Sequence, residues 1–493
     1  MTLRKSAITS LFWTGTSQFG SQIISFVVNI LMARILLPED FGVIAITMIF
    51  ANIGNMLVDG GMSQSIIRST NVNSDDLNTV FTTNLLVSIG VYIIIYTLAP
   101  WLASLYDSGS MLVDVVRLFS LTIIIRAFSA IQKTLFTRNL DFKTQTKITL
   151  PAMIISSFTT VIFANFGFGV FSIVYGNILL YTLTTFFYCL KSSYLPKIKV
   201  NKKSLKKHFG FGYKLTLSGI INVIFENSYS LIIGKFFSMK DLGFFNRADN
   251  LKQLPAQNFS AVISKVSYPI FSKVKNDSLQ LQGVFKRFLE LSVFIIAPVL
   301  FTMSALAEPL FRFLITEKWL PAVPLFRILC LNGILYPIHA YNLNILQVLD
   351  RTDLFLKLEI LKKTVLVLIV VSSYRFGIEG LLFGSVLTSL ISFFINAWHN
   401  SKNISYGPID QLKDLLPILI ASMFSGIITF ALDTLFRDYL SFDILRIFVG
   451  TIISISTYLI MAYFFNLRAF RYILNLLKND TSYSTLFASK RRL

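Results

Sequence analysis

The stretch ARILLPEDFG, residues 33–42, recurs 201 residues later as GKFFSMKDLG, residues 234–243. Each copy has a basic residue at its second position and ends in an Asp-apolar-Gly turn. A further pair, Phe166-Gly167 and Phe376-Gly377, recurs at an offset of 210 residues, so the register between the copies drifts only by small insertions. The chain is therefore predicted to contain two copies of one structural unit.

The composition excludes a soluble globular protein. Of the 493 residues, 54% are hydrophobic and only 14% are charged, whereas about 25% of an ordinary soluble domain is charged. The 45 Lys and Arg residues exceed the 25 Asp and Glu residues and give a net charge of +20. In so apolar a chain this charge indicates contact with a membrane surface rather than with nucleic acid. Both cysteines lie in apolar runs, which argues against a disulfide framework or a cysteine metal site.

Apolar runs of about 20 residues, the length that crosses a bilayer, recur along nearly the whole chain. They predict an all-α integral membrane protein with about fourteen transmembrane helices. Lys and Arg are concentrated in alternate loops, which by the positive-inside rule places the N- and C-termini in the cytoplasm. The predicted spans are residues 8–33, 41–67, 79–105, 112–136, 148–166, 169–190, 209–235, 245–272, 288–311, 323–349, 355–376, 378–399, 412–436 and 441–466.

Spans one to six and seven to twelve form the two copies. Six is an even number, so both copies enter the membrane in the same orientation and are related by an axis along the membrane normal. The predicted domains are an N-terminal six-helix bundle (1–190), a basic cytoplasmic linker (191–208), a C-terminal six-helix bundle (209–400), two additional helices (401–466) and a basic cytoplasmic tail (467–493). The linker's lysines are expected to fix the topology and to lie against anionic headgroups; the alternative is that they attract a diphosphate.

Several predicted spans carry polar residues on one helical face. Span one contains Gln22 and span seven contains Asn222, each within a series spaced by three or four residues. Span two has Asn52 and Asp59 in such a series, and span eight has Lys265. These faces predict a central polar cleft between the halves, with Gln22, Asn52, Asn222 and Lys265 among its substrate-binding residues. The alternative is that the uncharged groups only form hydrogen bonds between helices.

Ionised side chains deep in a predicted span are the strongest candidates for a functional role. Placing each of them in the membrane costs a free energy of at least about 2.5–3.5 kcal/mol. Arg126 in span four is predicted to bind substrate, since a guanidinium holds a diphosphate or carboxylate through two hydrogen bonds. The alternative is an internal salt bridge to Asp59 or Glu226. Those two acids are candidates for a coupling ion or a charge pair. For Lys265 the alternative is that its ammonium reaches the headgroups.

The chain lacks the residues on which several other functional classes depend. The chain has no G-x-x-x-x-G-K-[ST] phosphate loop, which argues against transport driven by its own ATP hydrolysis. Its three histidines are far apart in sequence, so neither a metal site nor a cofactor is predicted. An enzyme acting on a membrane substrate is expected to carry catalytic groups on a substantial loop, but the longest loop is the lysine-rich linker.

A family resemblance lies in the repeated turn and in span eight. The turn, Ala33 to Gly42, resembles the A-R-x-L-x-P-E-D-F-G stretch of bacterial polysaccharide exporters of the Wzx type, particularly the colanic-acid-exporter-like branch. Span eight is similar to the family's R-A-x-x-L-x-x-L-P … P-x-F-S pattern through Arg247-Ala248, Leu254-Pro255 and Tyr268-Pro269-Ile270-Phe271-Ser272. The chain departs from the family at Phe244-Phe245-Asn246, where a tyrosine is frequent. The resemblance covers the first twelve spans.

This resemblance implies membership of the multidrug/oligosaccharidyl-lipid/polysaccharide exporter superfamily, with two six-helix bundles in a V that opens alternately to each side. It implies a flippase for undecaprenyl-diphosphate-linked oligosaccharide repeat units at the bacterial inner membrane, in exopolysaccharide or O-antigen biosynthesis. Membrane lipids, a polysaccharide polymerase and a chain-length regulator are the implied partners. One alternative is an ion-coupled drug or organic-cation antiporter of the same superfamily, which needs an acidic cavity. Another is a membrane polymerase or transferase acting on the same glycolipid.

Overall fold

The structure, a computed structural model, describes residues 3–106, 109–440 and 442–477, and within these ranges it contains helices and no strand. Two short 3-10 turns occur, at Glu317–Trp319 and Tyr374–Phe376. The helices are α1 (Leu3–Ile35), α2 (Pro38–Asp59), α3 (Met62–Arg68), α4 (Ser74–Leu105), α5 (Gly109–Arg138), α6 (Phe142–Asn165), α7 (Phe171–Lys191), α8 (Lys202–Glu226), α9 (Ser228–Phe236), α10 (Met239–Val274), α11 (Ser278–Ala305), α12 (Ala307–Ile315), α13 (Ala322–Val348), α14 (Thr352–Ser373), α15 (Gly377–Ile404), α16 (Pro408–Phe436), α17 (Asp443–Phe464) and α18 (Arg468–Leu477).

The predicted all-α membrane architecture is confirmed. Each predicted span falls on one helix or on consecutive helices. Nine helices of the described ranges are long and apolar enough to cross a membrane, or ten if α8 and α9, which are bent by 51°, form one span. The chain is thus a multi-pass membrane protein, and the count of fourteen spans stays a prediction.

Packing divides the chain into two compact units, of which the first ends at Asn246 and the second begins at Arg247. In the first unit α1 packs on α6, α4 and α7 pack on α5, and α8 packs on α2 and α3. In the second unit α11 packs on α13 and α16, α13 packs on α15, and α16 packs on α17. The predicted domain boundaries at residues 190, 208, 400 and 466 rest on the sequence alone, and they stay predictions.

Span two is divided into α2 and α3 by two consecutive glycines. Gly60 and Gly61 have φ angles of 53° and 66°, a left-handed conformation that glycine adopts without steric cost. Helix α8 lies against this break, because a Cβ atom on its Gly212 would lie only 2.0 Å from the Gly60 carbonyl oxygen. The missing side chains therefore allow the backbones to meet.

The repeated Asp-apolar-Gly turn begins a helix in each copy. The Asp40 carboxylate accepts a hydrogen bond from the Leu37 amide at 3.0 Å, and the Asp241 carboxylate accepts one from the Ser238 amide at 3.2 Å. Each aspartate thereby satisfies an amide at the start of its helix, α2 or α10. The repeated basic residue is used as well, since the Lys235 ammonium donates to the Leu105 carbonyl at 2.6 Å.

The two repeated glycines allow these helix starts to cross reciprocally. A Cβ atom at Gly42 would lie 2.0 Å from the Met239 carbonyl oxygen, and one at Gly243 would lie 1.8 Å from the Pro38 carbonyl oxygen. Met239 occupies in the second copy the position that Pro38 occupies in the first. The glycine of each turn thus packs on the first helical residue of the other.

Replacing Gly42 by alanine should destabilise the protein, because the new methyl group meets a backbone carbonyl that no side-chain movement can clear. We expect a loss of about 1–3 kcal/mol, seen as a lower midpoint of thermal unfolding in detergent. Gly90→Ala is the control, since Gly90 lies in α4 with nothing within 4 Å of the added atom. Its midpoint should stay equal or rise, because alanine is the better helix former. Equal midpoints for the two variants would contradict the crossing.

Candidate functional site

A cavity of about 410 Å³, with charged and hydroxyl groups in a partly apolar wall, lies in the first unit and is lined by residues of helices α2 to α7. Its charged lining consists of Asp59, Arg126 and Lys133, so that two cations face one carboxylate. We call it the Arg126 cavity. Its volume falls within the range of ligand-binding pockets, about 300–1,000 Å³. Hydroxyl groups line much of the remaining wall, from Ser63, Ser129, Thr134, Thr137, Thr149 and Thr184.

Helix α5 supplies both cations. Arg126 and Lys133 are seven residues apart, about two turns, so they lie on the same helical face. Lys133 lies close enough to Arg126 and Asp59 to interact electrostatically with both. The two cations therefore form a basic stripe along one wall, opposite the end of α2.

The Arg126 guanidinium packs against an aromatic ring. Its Cζ atom lies 4.8 Å from the centroid of the Tyr181 ring on α7, within cation–π distance. In the described part of the chain Arg126 forms no ion pair within 4.0 Å, so the alternative salt bridge to Asp59 or Glu226 is not formed. Stacking on a ring orients the guanidinium while leaving its N–H donors available for an anion.

Hydrogen bonds fix α7 beside this part of α5. The Thr185 hydroxyl donates to the Ile125 carbonyl at 3.0 Å and lies 2.9 Å from the Ser129 hydroxyl. These contacts lie on both sides of Arg126 in sequence. They hold Tyr181, one turn before Thr185, against the guanidinium. The cavity therefore presents a positioned guanidinium beside neutral hydroxyls.

Two of the predicted site residues, Arg126 and Asp59, are brought together in this cavity. Gln22 is half-buried on α1, Asn52 is exposed on α2, and neither lines it.

Asn222 and Glu226 are exposed on α8 and also lie outside the cavity lining. The side chain of Lys265 lies outside the described residues. The predicted roles of all these residues, and the predicted central cleft, stay predictions.

Sequence reasoning missed Lys133 and Tyr181. The spacing of seven residues from Arg126 was a sufficient signal for Lys133. Tyr181 gave no such signal, because its place beside Arg126 depends on how α7 packs against α5.

The sequence profile of the family described as polysaccharide biosynthesis protein matches residues 31–324. The chain belongs to this family. The matched range contains every residue of the Arg126 cavity and both repeated turns.

Two relatives agree with this family assignment. An uncharacterised membrane protein in the cps region of Klebsiella pneumoniae is 26% identical over 340 residues, 68% of this chain and 69% of the relative. The lipopolysaccharide biosynthesis protein WzxC of Escherichia coli K12 is 22% identical over 399 residues, 80% of this chain and 81% of WzxC. The predicted resemblance to Wzx-type exporters is thereby confirmed.

The inward closed structure of the lipid II flippase MurJ matches with a TM-score of 0.72 and 17% identity. The match covers 92% of this chain and 98% of MurJ. At this identity the likeness shows that the fold is shared.

Replacing Asp59 by asparagine should strengthen binding of a small polyanion in the Arg126 cavity, because it removes the carboxylate that faces the two cations. With inorganic pyrophosphate as the probe, we expect affinity to rise about fivefold, which corresponds to about 1 kcal/mol. The measurement is calorimetric titration of the full chain in nanodiscs of neutral lipid. Asp114→Asn is the matched control, since Asp114 is exposed on α5 and outside the cavity lining. An equal gain in both variants, or no gain in either, would contradict the assignment.

Proposed function

We propose that this chain translocates undecaprenyl-diphosphate-linked oligosaccharide repeat units across the bacterial inner membrane by alternating access of its two bundles. The observation that carries the proposal is a cationic cavity inside an otherwise apolar membrane bundle, with the Arg126 guanidinium stacked on Tyr181 and not engaged by a carboxylate. The names of WzxC and MurJ support a polysaccharide precursor and a lipid-linked cargo, respectively.

The cavity suits the polar part of such a cargo. A guanidinium binds phosphate oxygens through two parallel hydrogen bonds, and Lys133 adds a second positive charge on the same wall. The Ser and Thr hydroxyls of the lining both donate to and accept from sugar hydroxyls. The polyprenyl chain is apolar and stays in the bilayer, so only the diphosphate and sugars need a polar path.

The sign of the cavity separates this function from the alternatives. An organic-cation antiporter needs an acidic cavity for its cargo, whereas the charged lining here has two cations and one carboxylate. We propose transport without covalent change of the glycolipid, so that a polymerase and a chain-length regulator act on the product as separate proteins. The termini and the basic linker are proposed to be cytoplasmic, in agreement with the positive-inside rule.

The test follows a labelled undecaprenyl-diphosphate oligosaccharide in proteoliposomes, through its accessibility to an impermeant sugar-oxidising reagent. Arg126→Ala should slow protein-dependent movement at least about tenfold, because a charge-assisted hydrogen bond contributes about 1.5–3 kcal/mol. The rate for Arg126→Lys should lie between those of the unmodified protein and Arg126→Ala, because lysine keeps the positive charge but lacks the planar fork of N–H donors. The mass of the glycolipid should be unchanged after movement.

Arg117→Ala is the matched control for this test. Arg117 is on the same helix and also stacks on a tyrosine, with its Cζ atom 4.1 Å from the Tyr96 ring, but it does not line the cavity. Its loss should leave the rate within about twofold of the unmodified protein, as for a surface cation–π pair. Unimpaired movement in folded Arg126→Ala protein would refute the role of Arg126. A changed glycolipid mass would instead favour a transferase.

A further inference from the structure

A second cavity, of about 500 Å³, opens at the surface of the first unit where the basic linker enters α8. Thr70 and Asn71 form one side, Arg138 at the end of α5 forms another, and Lys203 and Lys207 on α8 complete it. We call it the linker pocket. Three cations and one carboxylate, Asp76, make up its charged lining.

The linker is fixed in place along α4 before it reaches this pocket. The backbone amides of Lys197, Lys199 and Asn201 donate to side chains of α4: to the Asn78 carbonyl oxygen at 2.7 Å, the Thr82 hydroxyl at 3.1 Å and the Thr79 hydroxyl at 2.9 Å, respectively. Every second residue of this segment is therefore fixed to α4 by a backbone hydrogen bond. The lysines of the following turn are positioned by the fold and not carried on a free loop.

The pocket's one carboxylate is already used. Asp76 accepts hydrogen bonds from the Lys207 ammonium at 3.1 Å and from the Asn73 amide at 3.3 Å. The buried His208 imidazole lies 3.3 Å from its other oxygen. Asp76 thus pairs with Lys207, and among the described residues it forms no ion pair within 4.0 Å with the other two cations of the pocket.

Arg138 and Lys203 keep their charge available. The Arg138 guanidinium donates through one nitrogen to the carbonyls of Ser69 and Thr70, each at 3.0 Å, which orients the group without neutralising it. Within the described ranges neither Arg138 nor Lys203 forms an ion pair within 4.0 Å. An oriented guanidinium and an exposed ammonium beside hydroxyl and amide groups match the chemistry of a phosphate group.

The linker pocket is next to the Arg126 cavity. Thr137 lines the cavity and the adjacent Arg138 lines the pocket, so the end of α5 separates them. Along α5 the cations Arg138, Lys133 and Arg126 follow one another over about 18 Å, at 1.5 Å per residue. One helix therefore carries positive charge from the surface pocket to the interior.

We propose that the linker pocket binds the phosphate group of a lipid headgroup, as a surface site distinct from the Arg126 cavity. Two sources share this chemistry: the diphosphate of the polyprenyl cargo and the phosphate of an anionic phospholipid. The assignment of the pocket to cargo rests on the proposed function, in which the diphosphate arrives from the linker side. Binding of a phosphate headgroup does not.

The test titrates undecaprenyl diphosphate, phosphatidylglycerol or phosphatidylcholine into the full chain in neutral detergent and measures retained lipid by native mass spectrometry. All proteins carry Arg126→Ala to weaken the deep cavity. Lys203→Glu should lower affinity for an anionic lipid about tenfold, through repulsion in place of attraction at short range. Lys206→Glu is the matched control, because Lys206 is an exposed lysine of the same helix that does not line the pocket.

The outcomes separate the two sources. A Lys203-dependent loss for undecaprenyl diphosphate alone identifies cargo docking, and a loss for both anionic lipids identifies a general phosphate site. A loss for phosphatidylglycerol alone identifies a phospholipid site. Equal effects of Lys203→Glu and Lys206→Glu on lipid affinity, or no effect of either, would overturn the proposal that the linker pocket binds a phosphate headgroup. Lys203→Gln, which should give a smaller loss in the same direction, keeps the test valid if the charge reversal prevents folding. If the protein without these substitutions binds lipid in the linker pocket yet moves no glycolipid in proteoliposomes, the proposed function is wrong and the assignment of a phosphate site to the pocket is retained.

Discussion

Hydrocarbon offers no hydrogen-bond partner, so the polar side chains of membrane helices must be satisfied within the protein or face a polar cavity. The structure uses both solutions. The Thr47 hydroxyl on α2 donates to the carbonyl one turn earlier, at 2.8 Å. In the second unit the Asn400 amide donates to the Asn342 side chain at 2.7 Å, and the Gln411 amide donates to the same oxygen at 3.0 Å. Such hydrogen bonds between side chains of different helices stabilise helix packing.

Two arginines show different ways of placing a guanidinium inside the helix bundles. Buried Arg446 on α17 forms an ion pair with Asp433 at 2.7 Å and a second with Asp443 at 3.2 Å. Two carboxylates there neutralise one guanidinium, as expected where a charge serves packing, because an unpaired buried charge is costly. Arg126 instead lies over the Tyr181 ring. An aromatic face positions the group and leaves its charge to be compensated by something that enters the cavity.

The sequence was sufficient for the helices, and it singled out Arg126 and Asp59, which line the same cavity and whose roles stay predictions. Hydrophobic periodicity and length predicted the spans, and the repeat of residues 33–42 predicted two related helix starts, which the structure shows crossing at their glycines. Arg126 and Asp59 were predicted from the cost of ionised groups in a membrane. The break at Asn227 between α8 and α9 carries no proline or glycine signal, and it depends on tertiary packing. The pairing of Arg126 with Tyr181 depends on the arrangement of α5 and α7, which spacing within one helix cannot give.

Helix α5, which contributes residues to both cavities, has a composition poorly suited to a bilayer. Helix α5 is not among the nine described helices that are apolar enough to cross a membrane by composition, although it is 30 residues long. Its charges include Arg117, Arg126 and Lys133, and each ionised group at membrane depth costs at least about 2.5–3.5 kcal/mol unless it meets a polar surface. Packing α5 between α2, α4 and α7 places Arg126 and Lys133 in the Arg126 cavity, so the cost of these two charges is offset by tertiary structure. A charge pattern that disfavours insertion of a single helix therefore indicates that this helix forms the wall of a polar path, and the basic stripe on α5 is where we place the anionic part of the cargo.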